Sequence, residues 1–96
     1  MQGKAPGNSS EKITLKKQTS GNKVVLTWTV PPKKKVAEVI IYKAAGVAPL
    51  QLHDHTKEDK YQDEKPNMEQ TVRYRIKIQY EDGSFSAYSN EIDVQG

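Results

Sequence analysis

Hydrophobic and polar residues alternate with a period of two along most of the chain, which is the pattern of half-buried β-strands. The alternation is clearest in residues 74–80, where two tyrosines and two isoleucines alternate with Arg, Lys and Gln. In residues 24–30, every position is β-branched, aromatic or leucine, and this composition favours a strand over a helix. No segment has the period of an amphipathic helix, so the sequence predicts an all-β protein.

Turn-forming residues divide the chain into seven predicted strands. These strands begin near Lys12, Val24, Val36, Leu50, Tyr61, Tyr74 and Phe85. Pro31-Pro32 should end the second strand, because proline has no N–H to donate to a neighbouring strand. Asp82-Gly83 is expected to form a two-residue hairpin turn before a last strand that runs to Val94. Seven short strands with closely spaced turns predict a seven-stranded antiparallel β-sandwich of the immunoglobulin-like class.

The inward-facing positions of these strands define the predicted core. Its structural centre is assigned to Leu26, Trp28, Tyr74, Ile76 and Ile78. The surrounding core positions are Ile13, Leu15, Val24, Val39, Ile41, Ile92 and Val94, and Val30 is expected to point the same way as Val24. Trp28 is expected to be almost fully buried, because it alternates in phase with Leu26 and Val30.

Length and composition indicate one small domain. The chain has 96 residues, too few for two typical domains. Residues 1–10 contain almost nothing apolar and are predicted to be a flexible linker or an expression remnant, which leaves 11–96 as the folded domain. There is no cysteine, so disulfides and thiol chemistry are excluded. No apolar run approaches the roughly 20 residues that a membrane helix needs, so no membrane insertion is expected.

The net charge of +3 is unevenly distributed along the chain. Residues 1–50 hold nine lysines against two glutamates, whereas residues 51–96 hold six basic against ten acidic residues. The two halves interleave in a sandwich, so this asymmetry does not predict the single basic face of a nucleic-acid binder. No nucleic-acid partner is therefore expected.

No constellation of residues predicts catalysis, so the protein is not expected to be an enzyme. No serine or threonine lies in a Gly-x-Ser-x-Gly elbow. Paired carboxylates such as Asp63-Glu64 and Glu81-Asp82 are adjacent in sequence, and strand neighbours point to opposite faces. His53-Asp54-His55 would place two imidazoles on one strand face, but a metal site needs a third ligand. A solvated edge strand is the favoured interpretation, and no metal or cofactor is predicted.

Three aromatic side chains are candidates for surface contacts, namely Tyr42, Phe85 and Tyr88. A planar row of such rings would suit stacking on sugars. Alternatively, the rings contact a neighbouring domain or only cover the edge of the sheet. Contact with a neighbouring domain is the favoured alternative.

Several short motifs occur in the order and spacing of a known family. These are Leu26-Thr27-Trp28, Pro31-Pro32, Val39-Ile40-Ile41-Tyr42-Lys43, Tyr61-Gln62-Asp63, Tyr74-x-Ile76-x-Ile78 and Gly83-Ser84-Phe85-Ser86-Ala87-Tyr88-Ser89-Asn90. Together they resemble a fibronectin type III domain over about residues 11–96. Tyr74 matches the tyrosine-corner position of that family, which implies that its hydroxyl bonds to backbone between Met68 and Thr71.

The segment after Asp82 resembles bacterial accessory modules of secreted polysaccharide-degrading enzymes. The resemblance implies a non-catalytic spacer or docking module in a larger extracellular or cell-surface protein, with a bacterial glycoside hydrolase as the expected parent. Its partners would then be neighbouring domains of the same polypeptide, and the isolated domain would be a monomer. The alternative is a module that binds a polysaccharide or a protein ligand through the aromatic-bearing sheet face or the loops.

Overall fold

The computed structural model describes residues 12–30, 34–64 and 71–95. They form seven β-strands: β1 (Leu15–Ser20), β2 (Lys23–Trp28), β3 (Val36–Ala45), β4 (Gln51–Thr56), β5 (Lys60–Glu64), β6 (Thr71–Tyr80) and β7 (Ile92–Gln95). The described residues contain no helix that could span a membrane. The linker predicted at 1–10, the proline pair Pro31-Pro32 and Met68 lie outside the described residues.

The strands form two antiparallel sheets, ordered β1-β2-β5 and β4-β3-β6-β7. The sheets face each other across one hydrophobic core, which confirms the predicted seven-stranded sandwich. Strand β6 shows why the pattern was informative, because its positions alternate strictly between half-buried and buried from Thr71 to Tyr80. The inward positions of this strand are all aliphatic or tyrosine, as the two-residue period of a half-buried strand requires.

The core contains all five residues assigned to its centre. Its members are Ile13, Leu15, Val24, Leu26, Trp28, Val39, Ile41, Val72, Tyr74, Ile76, Ile78, Tyr80 and Val94. Ile92 packs against this cluster but is only partly buried. The inward assignment of Val30 is wrong: its exposed fraction is 37 %. Strand β2 ends at Trp28, so the alternation that would bury Val30 does not continue to it.

Two hairpins differ in the length of their loops. Ser20 pairs with Lys23, and the two-residue turn between them begins with Gly21 at a φ of 60°. The predicted two-residue turn at Asp82-Gly83 is instead a three-residue loop, because the Tyr80 N–H donates to the Ser84 carbonyl at 2.8 Å. Gly83 takes a φ of 89°, which suits the left-handed position that closes three-residue hairpin loops.

The last predicted strand is shorter than expected. The sequence pattern placed it from Phe85 to Val94, but β7 begins only at Ile92. Before it, Ser86 and Ser89 attach the chain to β6 in an irregular way. Their N–H groups donate to the carbonyls of Ile78 and Ile76, and their hydroxyls accept from the N–H groups of the same two residues. The serine hydroxyls replace main-chain acceptors, so regular strand pairing is not needed there.

Candidate functional site

The outer face of the larger sheet carries the candidate site. On β3 and β6, Ile41 pairs with Ile76 and both are buried. Tyr42 therefore points away from the core, as does its partner Arg75. Lys77 lies two residues further along β6 and points the same way. The sandwich fold thus places one tyrosine and two cations side by side on two central strands.

The segment after β6 adds two more rings to this face. Phe85 and Tyr88 have exposed fractions of 51 % and 46 %. The ring centroids of Tyr88 and Tyr42 lie 5.4 Å apart with an interplanar angle of 77°. The structure thus brings the three predicted contact residues together, and we call the set Tyr42, Arg75, Lys77, Phe85 and Tyr88 the aromatic face.

Both cations of the aromatic face contact its rings. The Arg75 guanidinium carbon lies 3.9 Å from the ring centroid of Tyr88. The Lys77 ammonium lies 4.7 Å from the Phe85 centroid, 5.2 Å from that of Tyr88 and 5.9 Å from that of Tyr42. A cation over a ring is attracted by its negative face, so these contacts orient the rings. Sequence reasoning did not include the two cations in the site, although β6 alternation already placed both on the outer surface.

Neither cation has a direct ion-pair partner in the part of the chain that the structure describes. Within residues 12–30, 34–64 and 71–95, neither Arg75 nor Lys77 forms an ion pair. The Nε of Arg75 is buried, and no acceptor for its N–H lies among the described residues. The carboxylates of Glu38 and Glu91 are held elsewhere, by His55 at 3.2 Å and by Arg73 at 3.4 Å. Among the described residues, no carboxylate therefore forms a direct ion pair with either cation of the aromatic face.

The rings do not form the planar row that would suit a flat sugar chain. The two tyrosines meet edge to face, and the Lys77 ammonium lies within 6 Å of all three ring centroids. A ligand that binds only by stacking on aromatic rings would therefore have no continuous flat surface to contact, and a positive charge would lie beside each ring. The chemistry of the face combines apolar contact with attraction of anions.

A second polar cluster connects the two sheets near β4 and β5. The carboxylate of Asp63 accepts hydrogen bonds from the Lys43 ammonium and the Tyr74 hydroxyl, both at 2.7 Å. The structure therefore gives the Tyr74 hydroxyl a side-chain acceptor on β5, and the backbone acceptor predicted between Met68 and Thr71 is wrong. Asp63 belongs to the smaller sheet, while Lys43 and Tyr74 belong to the larger one. These bonds thus hold the sheets together.

The surroundings of these groups change their pKa values in opposite directions. Partial burial would raise the pKa of Asp63, but the hydrogen bonds from Lys43 and Tyr74 outweigh it and hold that pKa below 3.8. Burial, and then the bond to the Asp63 carboxylate, raise the pKa of the Tyr74 hydroxyl well above its usual range. Asp63 is thus charged and Tyr74 neutral at ordinary pH, which suits the bond between them.

The two histidines of β4 do not converge on one point. A bulge in β4 pairs Asp54 with Ile41 and Leu52 with Tyr42, which leaves His53 without a partner in the ladder. His55 lies 3.2 Å from a Glu38 oxygen, whereas His53 lies 3.7 Å from an Asp63 oxygen. Among the described residues, no group of three acidic, histidine or cysteine side chains is placed to hold a metal ion.

We expect the stability of the protein to fall at acid pH because of Asp63. Its folded pKa lies below the unfolded value of 3.8, so its stabilising effect is complete above that value. It is lost as the pH falls through the folded pKa. Urea unfolding between pH 7 and pH 2 should show this loss, with a shallower slope in Asp63→Asn. Tyr74→Phe should also flatten the slope, since it removes one bond that lowers the pKa. An unchanged slope in Asp63→Asn would contradict this assignment.

Comparison with known proteins shows similarity of fold. The sequence matches no protein-family model and no curated protein. Two solved structures of bacterial enzymes are similar to it. One is a pectate lyase from Erwinia chrysanthemi in complex with tetragalacturonic acid, with a TM-score of 0.73 and 17 % identity over 85 % of this chain. The other is a pectate lyase from Pectobacterium carotovorum, with a TM-score of 0.71 and 15 % identity over 88 % of this chain.

A third similar structure is an isolated domain. It is the solution structure of a fourth fibronectin type III domain from human, with a TM-score of 0.66 and 18 % identity. The match covers 88 % of this chain and 73 % of that one. By contrast, the chain spans only 28 % and 27 % of the two pectate lyase chains. The chain therefore has the immunoglobulin-like sandwich fold of a fibronectin type III domain.

Proposed function

We propose that this domain is a non-catalytic accessory module of a larger extracellular or cell-surface protein that degrades polysaccharides, such as a bacterial glycoside hydrolase. The observation that carries the proposal is the similarity to two bacterial pectate lyases. In each of them, the matching region is little more than a quarter of the chain. A domain of this fold is thus found beside other parts of an enzyme that acts on a polysaccharide.

The direction of the chain through the fold supports a spacing role. Strand β1 starts at Leu15, which pairs with Trp28 at the end of β2. Strand β7 ends at Gln95, which pairs with Thr71 at the start of β6. Leu15 is hydrogen-bonded to Asn90, and Lys17 to Asp93, so β1 and β7 run side by side in the same direction. The start of β1 and the end of β7 therefore lie at opposite ends of the sandwich. Domains attached before β1 and after β7 would therefore be held apart by the length of the module.

A distance measurement tests the spacing role. We expect that a donor fluorophore before β1 and an acceptor after β7 will show one narrow distance distribution. A Gly/Ser linker with the same number of residues is the matched control and should give a broad distribution, since such linkers behave as flexible coils. An equally broad distribution in the two samples would contradict the proposal.

The isolated chain should also be a monomer without turnover of any polysaccharide. Neutral polysaccharides should bind weakly or not at all, because the aromatic face is shallow. Turnover by the isolated chain would contradict a non-catalytic role. Micromolar or tighter binding of a neutral polysaccharide, about −8 kcal/mol, lost in Tyr42→Ala or Tyr88→Ala, would make the domain a carbohydrate-binding module instead.

A ligand-binding module is the second candidate function. The observation that favours it is the aromatic face, where Tyr42, Phe85 and Tyr88 meet although they come from β3 and an irregular segment. Two of these rings are about half exposed. Exposed aromatic side chains beside arginine are common at sites of protein recognition. In this function the face would hold a polysaccharide or a protein ligand.

A further inference from the structure

We propose that the aromatic face binds an acidic polysaccharide whose sugar rings carry carboxylates, that is, a polyuronate. The inference rests on the second candidate function and names its class of ligand. It does not depend on the spacing role, which concerns the ends of the sandwich. Two properties of the face support it. Two strand cations have no direct ion-pair partner among the described residues, and exposed aromatic rings lie beside them.

The two positive charges of the aromatic face favour an anionic ligand. Arg75 and Lys77 form no ion pair in the part of the chain that the structure describes, although Glu38 and Glu91 are carried near the same sheet. Those two carboxylates are already engaged by His55 and Arg73. Among the described residues, no carboxylate pairs directly with either cation, so a carboxylate of a ligand would not have to displace one. Charge-assisted hydrogen bonds from arginine and lysine to carboxylates are among the stronger polar contacts of proteins.

The exposed rings favour a ligand with an apolar surface close to its negative charge. The Lys77 ammonium is only 4.7 Å from the centre of the Phe85 ring and 5.2 Å from that of Tyr88. In a uronate, the carboxylate is bonded directly to the sugar ring, so one residue presents an apolar C–H face and a negative charge a few bonds apart. A neutral sugar could stack on the rings but would not pair with the cations. An acidic peptide side chain could pair with the cations but would not stack on the rings.

The face is also held in place before any ligand arrives. Arg75 and Lys77 project from β6, a central strand of its sheet. The segment that carries Phe85 and Tyr88 is attached to β6 through the backbone and the hydroxyl groups of Ser86 and Ser89. Groups held in advance lose less conformational entropy on binding. The surface is open to solvent, so we expect weak binding, with dissociation constants of about 0.1–1 mM that are well above those of enclosed sites.

Polygalacturonate and its fully methyl-esterified form test the proposal, because they share one backbone and differ in charge. We expect polygalacturonate to shift the NMR amide signals of β6 and of residues 85–88, with binding that weakens as salt is added. The methyl ester should bind at least tenfold more weakly. Lys77→Gln and Phe85→Ala should each weaken polygalacturonate binding about tenfold. Lys23→Gln is the matched control, since Lys23 is an exposed lysine of the other sheet, and should have no effect.

Several outcomes would overturn the inference. Equal binding of the methyl ester would show that the carboxylates are not recognised, while a ligand-binding role on this face would survive. Equal binding of polyglutamate would show that charge alone matters and would favour an acidic peptide partner. Shifts confined to other surfaces, or no binding of any of the three polymers, would remove both the inference and the polysaccharide-binding form of the second candidate function. The amide spectrum of each variant checks that it is folded, and Phe85→Ala serves as a test that leaves β6 intact.

Discussion

Replacing Trp28 with alanine should lower the free energy of unfolding by about 3–5 kcal/mol, the usual range for removing a large aromatic side chain from a core. Trp28 has an exposed fraction of only 9 %, and it belongs to the cluster between the two sheets. A small domain has a total stability of about 5–15 kcal/mol. The variant should therefore be close to unfolding at room temperature, and chemical denaturation would measure the change.

Val30→Ala is the matched control for this prediction. Val30 lies two residues after Trp28 and shares its expected orientation in the sequence pattern, but it is 37 % exposed. Exposed positions usually change stability by less than about 0.5 kcal/mol. If the denaturation midpoint of Trp28→Ala stayed at the value of the unchanged protein, Trp28 would not be the centre of the core. A large effect of Val30→Ala would mean that the strand continues inward beyond Trp28.

Replacing Asp63 with alanine should destabilise the protein by about 2–4 kcal/mol, since it removes the charged acceptor of two hydrogen bonds, one of which comes from a charged ammonium. The Asp63 side chain is only 15 % exposed. Its loss leaves the Tyr74 hydroxyl without its partner inside the protein and the Lys43 ammonium without its counter-ion. Removing one partner of a partly buried ion pair lowers stability by more than the pair itself contributes, because the remaining charged group stays partly shielded from water. Urea unfolding at pH 7 would measure the effect.

The contribution of the bond between Asp63 and Tyr74 can be separated in a double-mutant cycle. Tyr74→Phe alone should cost about 1–2 kcal/mol, because it removes a single hydrogen bond to a charged acceptor. In the double variant the two effects should be less than additive, since each single change already breaks the shared bond. Asp59→Ala, in the exposed loop before β5, controls for the loss of a negative charge. Full additivity would show that the bond does not stabilise the fold.

Local patterns in the sequence predicted the strands well, for a physical reason. Alternation depends only on the two-residue period of an extended chain, so the inward positions of β2 and β6 are visible without knowledge of the partner strand. The core residues Leu26 and Ile76 could be assigned in this way, and both are fully buried. The pattern was less informative at strand ends. Val30 continued the alternation of β2, but the strand stops before it, and hydrogen bonding to a neighbour decides where a strand stops.

The alternation pattern is also uninformative in the loops. The segment from Ser86 to Ser89 is attached to β6 by side-chain hydroxyls, which the alternation of apolar residues does not reveal. This attachment decides that Phe85 and Tyr88 lie over the outer surface of β6. Sequence reasoning selected both rings, together with Tyr42, as candidates for contact. It did not predict that Arg75 and Lys77 would contact them.

The sequence by itself determined the all-β class, the number of strands and most of the core, because these follow from the side-chain period of an extended chain. The tertiary structure alone decided which polar side chains meet. Asp63 and Tyr74 are eleven residues apart on different sheets, and their bond exists because the sheets pack face to face. Tyr42 and Tyr88 meet for the same kind of reason, through the pairing of β3 with β6 and the serine bonds of the following segment. Such contacts depend on distances across the folded molecule, whereas the sequence pattern records only which way each side chain points.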